Sequence, residues 1–98
     1  MKLGDTRDLK KVIARRLRQT RVALDLKQYE FADATGLGRV TYNQFETGKR
    51  QISVAAAISI AMRFGVTTDW ILLGDPSGLP LDLFNKMRAR AWATTSSL

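Results

Sequence analysis

Apolar residues recur along this chain at helical spacings, and no alternating, strand-like run competes with them. Leu9, Ile13, Leu17 and Leu24 stand at steps of four or seven and predict a helix over Asp8 to Leu24. Asp25 marks its end, because aspartate tolerates the left-handed conformation that stops helices. Gln28 to Thr35 reads as a short second helix with Phe31 and Ala32 inward, and Arg39 to Thr47 as a third, stopped by Gly48. Ser53 suits the N-cap of a fourth helix through Phe64, stopped by Gly65, with Val54, Ala57, Ile58 and Ala61 inward. Thr68 is expected to cap a fifth, Asp69 to Leu73. Gly74-Asp75-Pro76-Ser77-Gly78 reads as a linker, Pro80 as the first turn of a sixth helix through about Trp92, and Ala93 to Leu98 as a frayed tail. The predicted fold class is all-α.

The third helix carries the most informative pattern. At 100° per residue, Arg39, Val40, Asn43, Gln44 and Thr47 share one face, while Thr41, Tyr42 and Phe45 point the other way. Gly36 permits a tight turn before it, and Ala32 is small enough for helices two and three to cross closely. The polar face matches the chemistry of base edges. Arginine grips guanine through two hydrogen bonds, glutamine or asparagine does the same for adenine, and valine touches a thymine methyl. An α-helix of this kind fits the major groove.

Charge points the same way. Residues 7–50 hold eleven Lys/Arg against five Asp/Glu, whereas residues 51–98 hold four against three, so the net charge of +7 is concentrated in one half. Such a one-sided excess favours a polyanionic partner. An anionic membrane is the rival, but the basic first helix lacks the Trp/Phe belt of a membrane-surface helix. Arg15, Arg16 and Arg18 read as a solvated face adding diffuse attraction. No apolar stretch is long enough to span a bilayer, and the charged start MKLGDTRDLKK has no signal-peptide core, so a cytoplasmic protein is expected. With no cysteine and no histidine, thiolate metal sites and the commonest general base are absent, and the carboxylates are scattered. The chain is expected to be no enzyme and to need no cofactor or metal.

The ordered set Gln28-x-x-x-Ala32-x-x-x-Gly36, then Tyr42, Phe45-Glu46-x-Gly48-Lys49-Arg50, then Gly65-Val66-x-x-Asp69-Trp70-x-Leu72, resembles the helix-turn-helix domain of phage repressors and Cro, found in the xenobiotic-response-element-like bacterial regulators. The resemblance covers about residues 9–74. It implies a compact five-helix, lambda-repressor-like DNA-binding domain within residues 1–74, with residues 75–98 left as linker, sixth helix and tail. It further implies that Arg39, Val40, Asn43 and Gln44 read bases and that Gln28, Lys49 and Arg50 contact phosphates. Tyr29 and Thr47 join that phosphate set as the chain's own candidates. Arg21 and Glu46 match an internal ion pair, and Trp70 and Leu73 match residues that close the core. Five positions depart from the pattern: Asp25 replaces a glycine, Lys27 and Gly38 replace Ser/Thr caps, Tyr42 replaces a smaller aliphatic, and Tyr29 stands where Glu is common.

One recognition helix reads only a few base pairs, so a homodimer on a palindromic, double-stranded operator is expected. Leu81, Phe84, Met87, Ala91 and Trp92 form an apolar stripe on the sixth helix that either packs onto the chain's own core or joins two copies. The dimer contact is the expectation carried forward. The functional expectation is a repressor-like transcriptional regulator; the alternative is an antitoxin-like module that binds a protein partner through its C-terminal segment and regulates its own synthesis.

Overall fold

The computed structural model describes residues 6–96, with side chains from residue 9 to residue 90. Among the described residues there are six helices and no strand: α1 (Thr6–Ala23), α2 (Gln28–Thr35), α3 (Arg39–Glu46), α4 (Val54–Phe64), α5 (Thr68–Leu73) and α6 (Leu81–Ser96). The fold is all-α.

Helix α1 is the central strut. Its buried residues Ile13, Leu17 and Thr20 recur every three or four positions, with Ala14 and Ala23 beside them, and it packs against α3, α5 and α6. Leu9, placed on the same stripe by its spacing, is 40% exposed because the stripe runs past the core at that end. The helix stops at Asp25, which takes φ = 59°, the left-handed geometry that a short polar side chain tolerates.

The core gathers Phe31 and Ala32 of α2, Tyr42 and Phe45 of α3, and Ala56, Ala57 and Ile60 of α4 around Leu17. Phe31 lies at its centre, 4.8 Å from the Tyr42 ring and 4.6 Å from Phe64. The inward face of α4 differs from the expected one: Ala57 faces in, but Val54 and Ile58 are exposed and Ala61 is half-buried. The sequence VAAAISIAM is apolar almost all the way round, so periodicity alone cannot choose its buried side. Ser53 accepts a hydrogen bond from the Ala56 N–H at 3.1 Å and so caps α4.

Helix α5 is capped by Thr67, one residue earlier than predicted: its hydroxyl accepts from the Trp70 N–H at 2.9 Å. Thr68, the predicted cap, is the first helical residue. Leu73 does not close the core, being 73% exposed; the fully buried residue is Ile71, with Trp70 half-buried against the cluster. Trp70 is fixed by its indole N–H, which donates to the Thr20 hydroxyl at 2.9 Å. That hydroxyl in turn donates to the Arg16 carbonyl at 2.7 Å.

Arg16 is not part of a solvated face. Its guanidinium is half-buried and donates to the Ile71 carbonyl at 3.2 Å, satisfying an orphan acceptor near the C-terminal end of α5. Burial lowers its pKa from the ordinary arginine value. Gly74 makes this approach feasible. It takes φ = 78°, and a Cβ there would stand 2.8 Å from the guanidinium.

The segment after Gly74 returns to the core. Leu79 packs against it, Leu83 of α6 is 5% exposed, and Met87, one turn later, lies half-buried on the same cluster. Arg90 closes the contact from outside through a 2.9 Å ion pair to Asp25. The residue with which α6 enters the core, Leu83, is thus absent from the expected apolar stripe. Within that stripe Leu81 is exposed and Phe84 half-buried, and the side chains of Ala91 and Trp92 lie outside the described residues. The helix also continues beyond Trp92 to Ser96.

Candidate nucleic-acid interface

Helices α2 and α3 are joined by Gly36-Leu37-Gly38. Gly36 adopts φ = 75°, and its N–H and that of Leu37 return to carbonyls at the end of α2. Leu37 packs against the core and fixes the turn. Tyr42 and Phe45 wedge α3 into the interior, so the residues between them face outward. Arg39 and Val40 are exposed, Val40 at 73%. Asn43 and Gln44 follow one turn later, half-buried. Gly38 supplies no side-chain cap, so the first amides of α3 keep no capping side chain.

The anchor of α3 is a charged cluster at its end. Arg21 Nε donates to both Glu46 oxygens at 2.9 and 3.1 Å, and Nη2 donates to Oε1 at 2.8 Å. The side chains are only 15% and 5% exposed. Arg21 Nη1 also donates to the Leu26 carbonyl at 2.9 Å, so one guanidinium ties α1, the α1–α2 turn and α3 together. Burial is the largest influence on the Glu46 carboxyl and pushes it up, but the Arg21 hydrogen bonds and charge, together with the neighbouring Tyr42 and Gln28 side chains, outweigh it and hold the carboxyl below the usual range. The buried Tyr42 hydroxyl makes no hydrogen bond of good geometry. Burial, followed by the nearby Glu46 carboxylate, pushes its pKa far up, so it stays protonated.

The outward polar groups are already engaged with one another. Asn43 Nδ2 donates to Gln28 Oε1 at 3.0 Å, joining a candidate base reader to a candidate phosphate ligand at the start of α2. The Thr47 hydroxyl donates to the Asn43 carbonyl at 2.8 Å, so it would have to leave its own helix to donate to a phosphate. Arg39 is held by α2: Nε donates to Asp33 Oδ1 at 3.1 Å, Nη2 to Oδ2 at 2.7 Å, and its guanidinium carbon lies 5.2 Å from the centre of the Tyr29 ring. The same hydrogen bonds hold the Asp33 carboxyl below the usual carboxylate range. Tyr29 therefore sits beside a base-reading candidate as well as near the start of α2. At Lys27, only half of a capping box forms: the Glu30 carboxylate accepts from the Lys27 N–H at 2.8 Å, while an ammonium has nothing with which to accept in return.

Lys49 and Arg50 follow α3 with exposed side chains, their N–H groups both donating to the Gln44 carbonyl. Helix α1 passes beside them: Lys11 Cγ would lie 3.5 Å from a Cβ on Gly48. Exposed Lys10 and Lys11 therefore border the same edge as Lys49 and Arg50, a juxtaposition across almost forty residues that charge counting along the sequence does not reveal. Asp33 escaped the sequence reading too, although its i, i+4 spacing from Tyr29 puts both on one side of α2.

No helix among the described residues is long and apolar enough to cross a membrane. No curated protein and no solved structure shows significant similarity to the chain. A helix-turn-helix family model, by contrast, matches residues 17–71, which run from the middle of α1 through Ile71 and include the turn, the anchored α3 and the core beneath it. The chain therefore belongs to the Cro/C1-type helix-turn-helix family, a family of DNA-binding transcriptional regulators.

Proposed function

We propose that this protein is a sequence-specific, double-stranded-DNA-binding regulator of the repressor kind, which reads the major groove with α3 as a homodimer on a palindromic operator. The observation that carries this reading is the two-sided α3. Tyr42 and Phe45 lock one side into the core, and Arg39, Val40, Asn43 and Gln44 occupy the other. Those four offer a fork for guanine, amides for adenine and a methyl contact for thymine. Lys49 and Arg50, bordered by Lys10 and Lys11, supply positive charge at the edge where a phosphate backbone would pass. Gln28, at the first turn of α2, contributes a polar contact to the backbone.

Selection of bound sites from random duplex DNA tests the reading. The expected product is one motif with dyad symmetry and half-sites ~34 Å apart on one face of the duplex. Arg39→Ala and Gln44→Ala should each cost ~1–3 kcal/mol on that site and relax the preference at one position per half-site. Failure to enrich any motif, or parental affinity in both variants, overturns it.

A second reading is supported by the C-terminal segment. Pro76, Leu79, Leu81 and Phe84, with Asp75 and Ser77, line an open, largely apolar groove of about 370 Å³. An antitoxin-like module would use such a surface to hold a protein partner. A stoichiometric complex whose formation is abolished by Leu81→Asp, together with no enriched DNA motif, would favour it.

A further inference from the structure

A carboxylate beside a DNA-reading face is electrostatically out of place. Asp33 brings negative charge to the rim of a surface that would meet phosphates, in a chain of net charge +7. The Asp33 and Arg39 side chains are 51% and 65% exposed, so the pair contributes little to folding. Its geometry is nonetheless specific. Asp33 takes the side edge of the guanidinium, through Nε and one Nη2 proton, and α2 places the Tyr29 ring beside that group, 5.2 Å away. Arginine has five N–H donors in a rigid plane. With the side edge occupied, the outer edge remains, where Nη1 and the second Nη2 proton point along the side chain. That outer edge is the fork that fits guanine O6 and N7.

We propose that Asp33, supported by Tyr29, is a specificity-determining positioning residue: it fixes the rotamer of Arg39 and leaves a single donor fork for one guanine in each half-site. The inference rests on the DNA-reading function proposed above. An unrestrained arginine would serve phosphates, or the acceptors of neighbouring base pairs, almost as readily as the intended guanine. The carboxylate gives up some general attraction to DNA and narrows what Arg39 can accept. Asp33 itself touches no base in this scheme; it acts through Arg39.

The test compares the parent with Asp33→Asn, Arg39→Ala and the double variant. Each is titrated against the duplex that the parent selects, the same duplex changed one base pair at a time, and a random duplex, with thermal melting in parallel. Arg39→Ala should flatten discrimination at one guanine position. Asp33→Asn should lose about tenfold of discrimination at that position alone, the lower end of what a bidentate pair supplies. It should bind random duplex at least as tightly as the parent, melt at the parent temperature, and add no further loss in the Arg39→Ala background. Tyr29→Leu should produce a smaller loss at the same position. If Arg39→Ala flattens a position and Asp33→Asn leaves it unchanged, or if the two losses simply add, the inference is overturned while the DNA-reading function stands. If the parent selects no duplex, or Arg39→Ala changes no position, the function fails first and the inference with it.

Discussion

Glu46→Ala is the substitution that most directly tests how α3 is held. It removes the acceptor of three hydrogen bonds from Arg21, whose side chain is 15% exposed in the parent, and leaves the guanidinium the Leu26 carbonyl as its remaining hydrogen-bond acceptor. Removing one member of a buried ion pair costs about 3–5 kcal/mol, because the survivor stays buried and uncompensated. Arg21 keeps one hydrogen bond and some exposure, so the expected loss is about 2–4 kcal/mol. For a domain of this size each kcal/mol is worth about 4–8 °C, which puts the fall in Tm at roughly 8–32 °C. Circular dichroism melts at pH 7 and moderate salt measure it. The pH dependence carries the second signature. The Glu46 carboxyl is depressed in the folded state, so its contribution is fully present above its unfolded value, about 4.3, and is lost as pH falls through the lower folded value. Glu46→Gln should remove that acid-side slope. Replacing both partners, as Arg21→Met with Glu46→Leu, should recover part of the stability lost by Glu46→Ala, since no unpaired charge is then left inside. A Glu46→Ala loss below 1 kcal/mol, or a parental acid-side slope in Glu46→Gln, would refute the assignment of this pair as the anchor of α3.

Changes at four other positions probe neighbouring parts of the molecule. Lys49→Ala should weaken binding to operator and random duplex alike and flatten the plot of log K against log salt by roughly one unit per neutralised phosphate, two in a dimer, whereas Gln28→Ala should lower affinity with little change in slope; a parental slope in Lys49→Ala rules that lysine out as a phosphate ligand. Thr20→Val should cost about 1–3 kcal/mol by leaving the Trp70 indole N–H without its acceptor, while Thr20→Ser should recover most of it, both read from tryptophan fluorescence during urea unfolding. Tyr42→Phe deletes a buried hydroxyl that makes no hydrogen bond of good geometry and should leave stability unchanged or raise it by up to about 1 kcal/mol; a loss greater than that would show the hydroxyl to be bonded to Glu46.

What the sequence made legible follows from how local each determinant is. The bounds of α2, the start of α3 and the Ser53 cap of α4 were readable because caps and glycine stops are written within a few residues of the helix end. The division of α3 into an inner and an outer face was readable for a similar reason: Tyr42 and Phe45 are the only large aromatics in that helix, and they fall on one side. The buried face of α4 was not readable, since nearly every position there is apolar and the choice of Ala56, Ala57 and Ile60 is made by neighbours far along the chain. Arg16 looked like one more cation on α1 until α5 brought the Ile71 carbonyl to it across 55 residues. Leu83 was hidden in a helix where Leu81, Phe84 and Met87 also recur at helical steps, and only its packing on the core cluster identifies it. The candidate interface divides in the same manner. Base-reading candidates on one helix face follow from period 3.6, but the Asp33–Arg39 and Gln28–Asn43 contacts between two helices depend on the angle at which those helices cross.

Those cross-helix contacts explain how a weakly capped helix can still present an ordered surface. Gly38 provides no side-chain cap, and α3 has only eight residues, too few for a stable helix on propensity alone. Its order comes from both ends of its packing. Inside, Tyr42, Phe45 and the Arg21–Glu46 pair hold the backbone to α1 and α2. Outside, Asp33 holds Arg39, Gln28 holds Asn43, and the Thr47 hydroxyl bonds to its own helix. Each outer contact is solvent-exposed or only part-buried and adds little to folding, yet each restricts a rotatable polar side chain before any partner arrives. Side-chain ordering is one of the costs that binding must overcome, and it grows with the number of rotamer-rich groups immobilised. A face whose donors are already oriented by inexpensive polar contacts meets less of that cost at the moment of association. If α3 reads bases as proposed, the same contacts would raise selectivity, because a donor held in one direction cannot turn to satisfy a mismatched base. In the proposed function, stability and recognition would thus be divided across the thickness of a single short helix: the buried side fixes where α3 lies, and the exposed side would fix what it can accept.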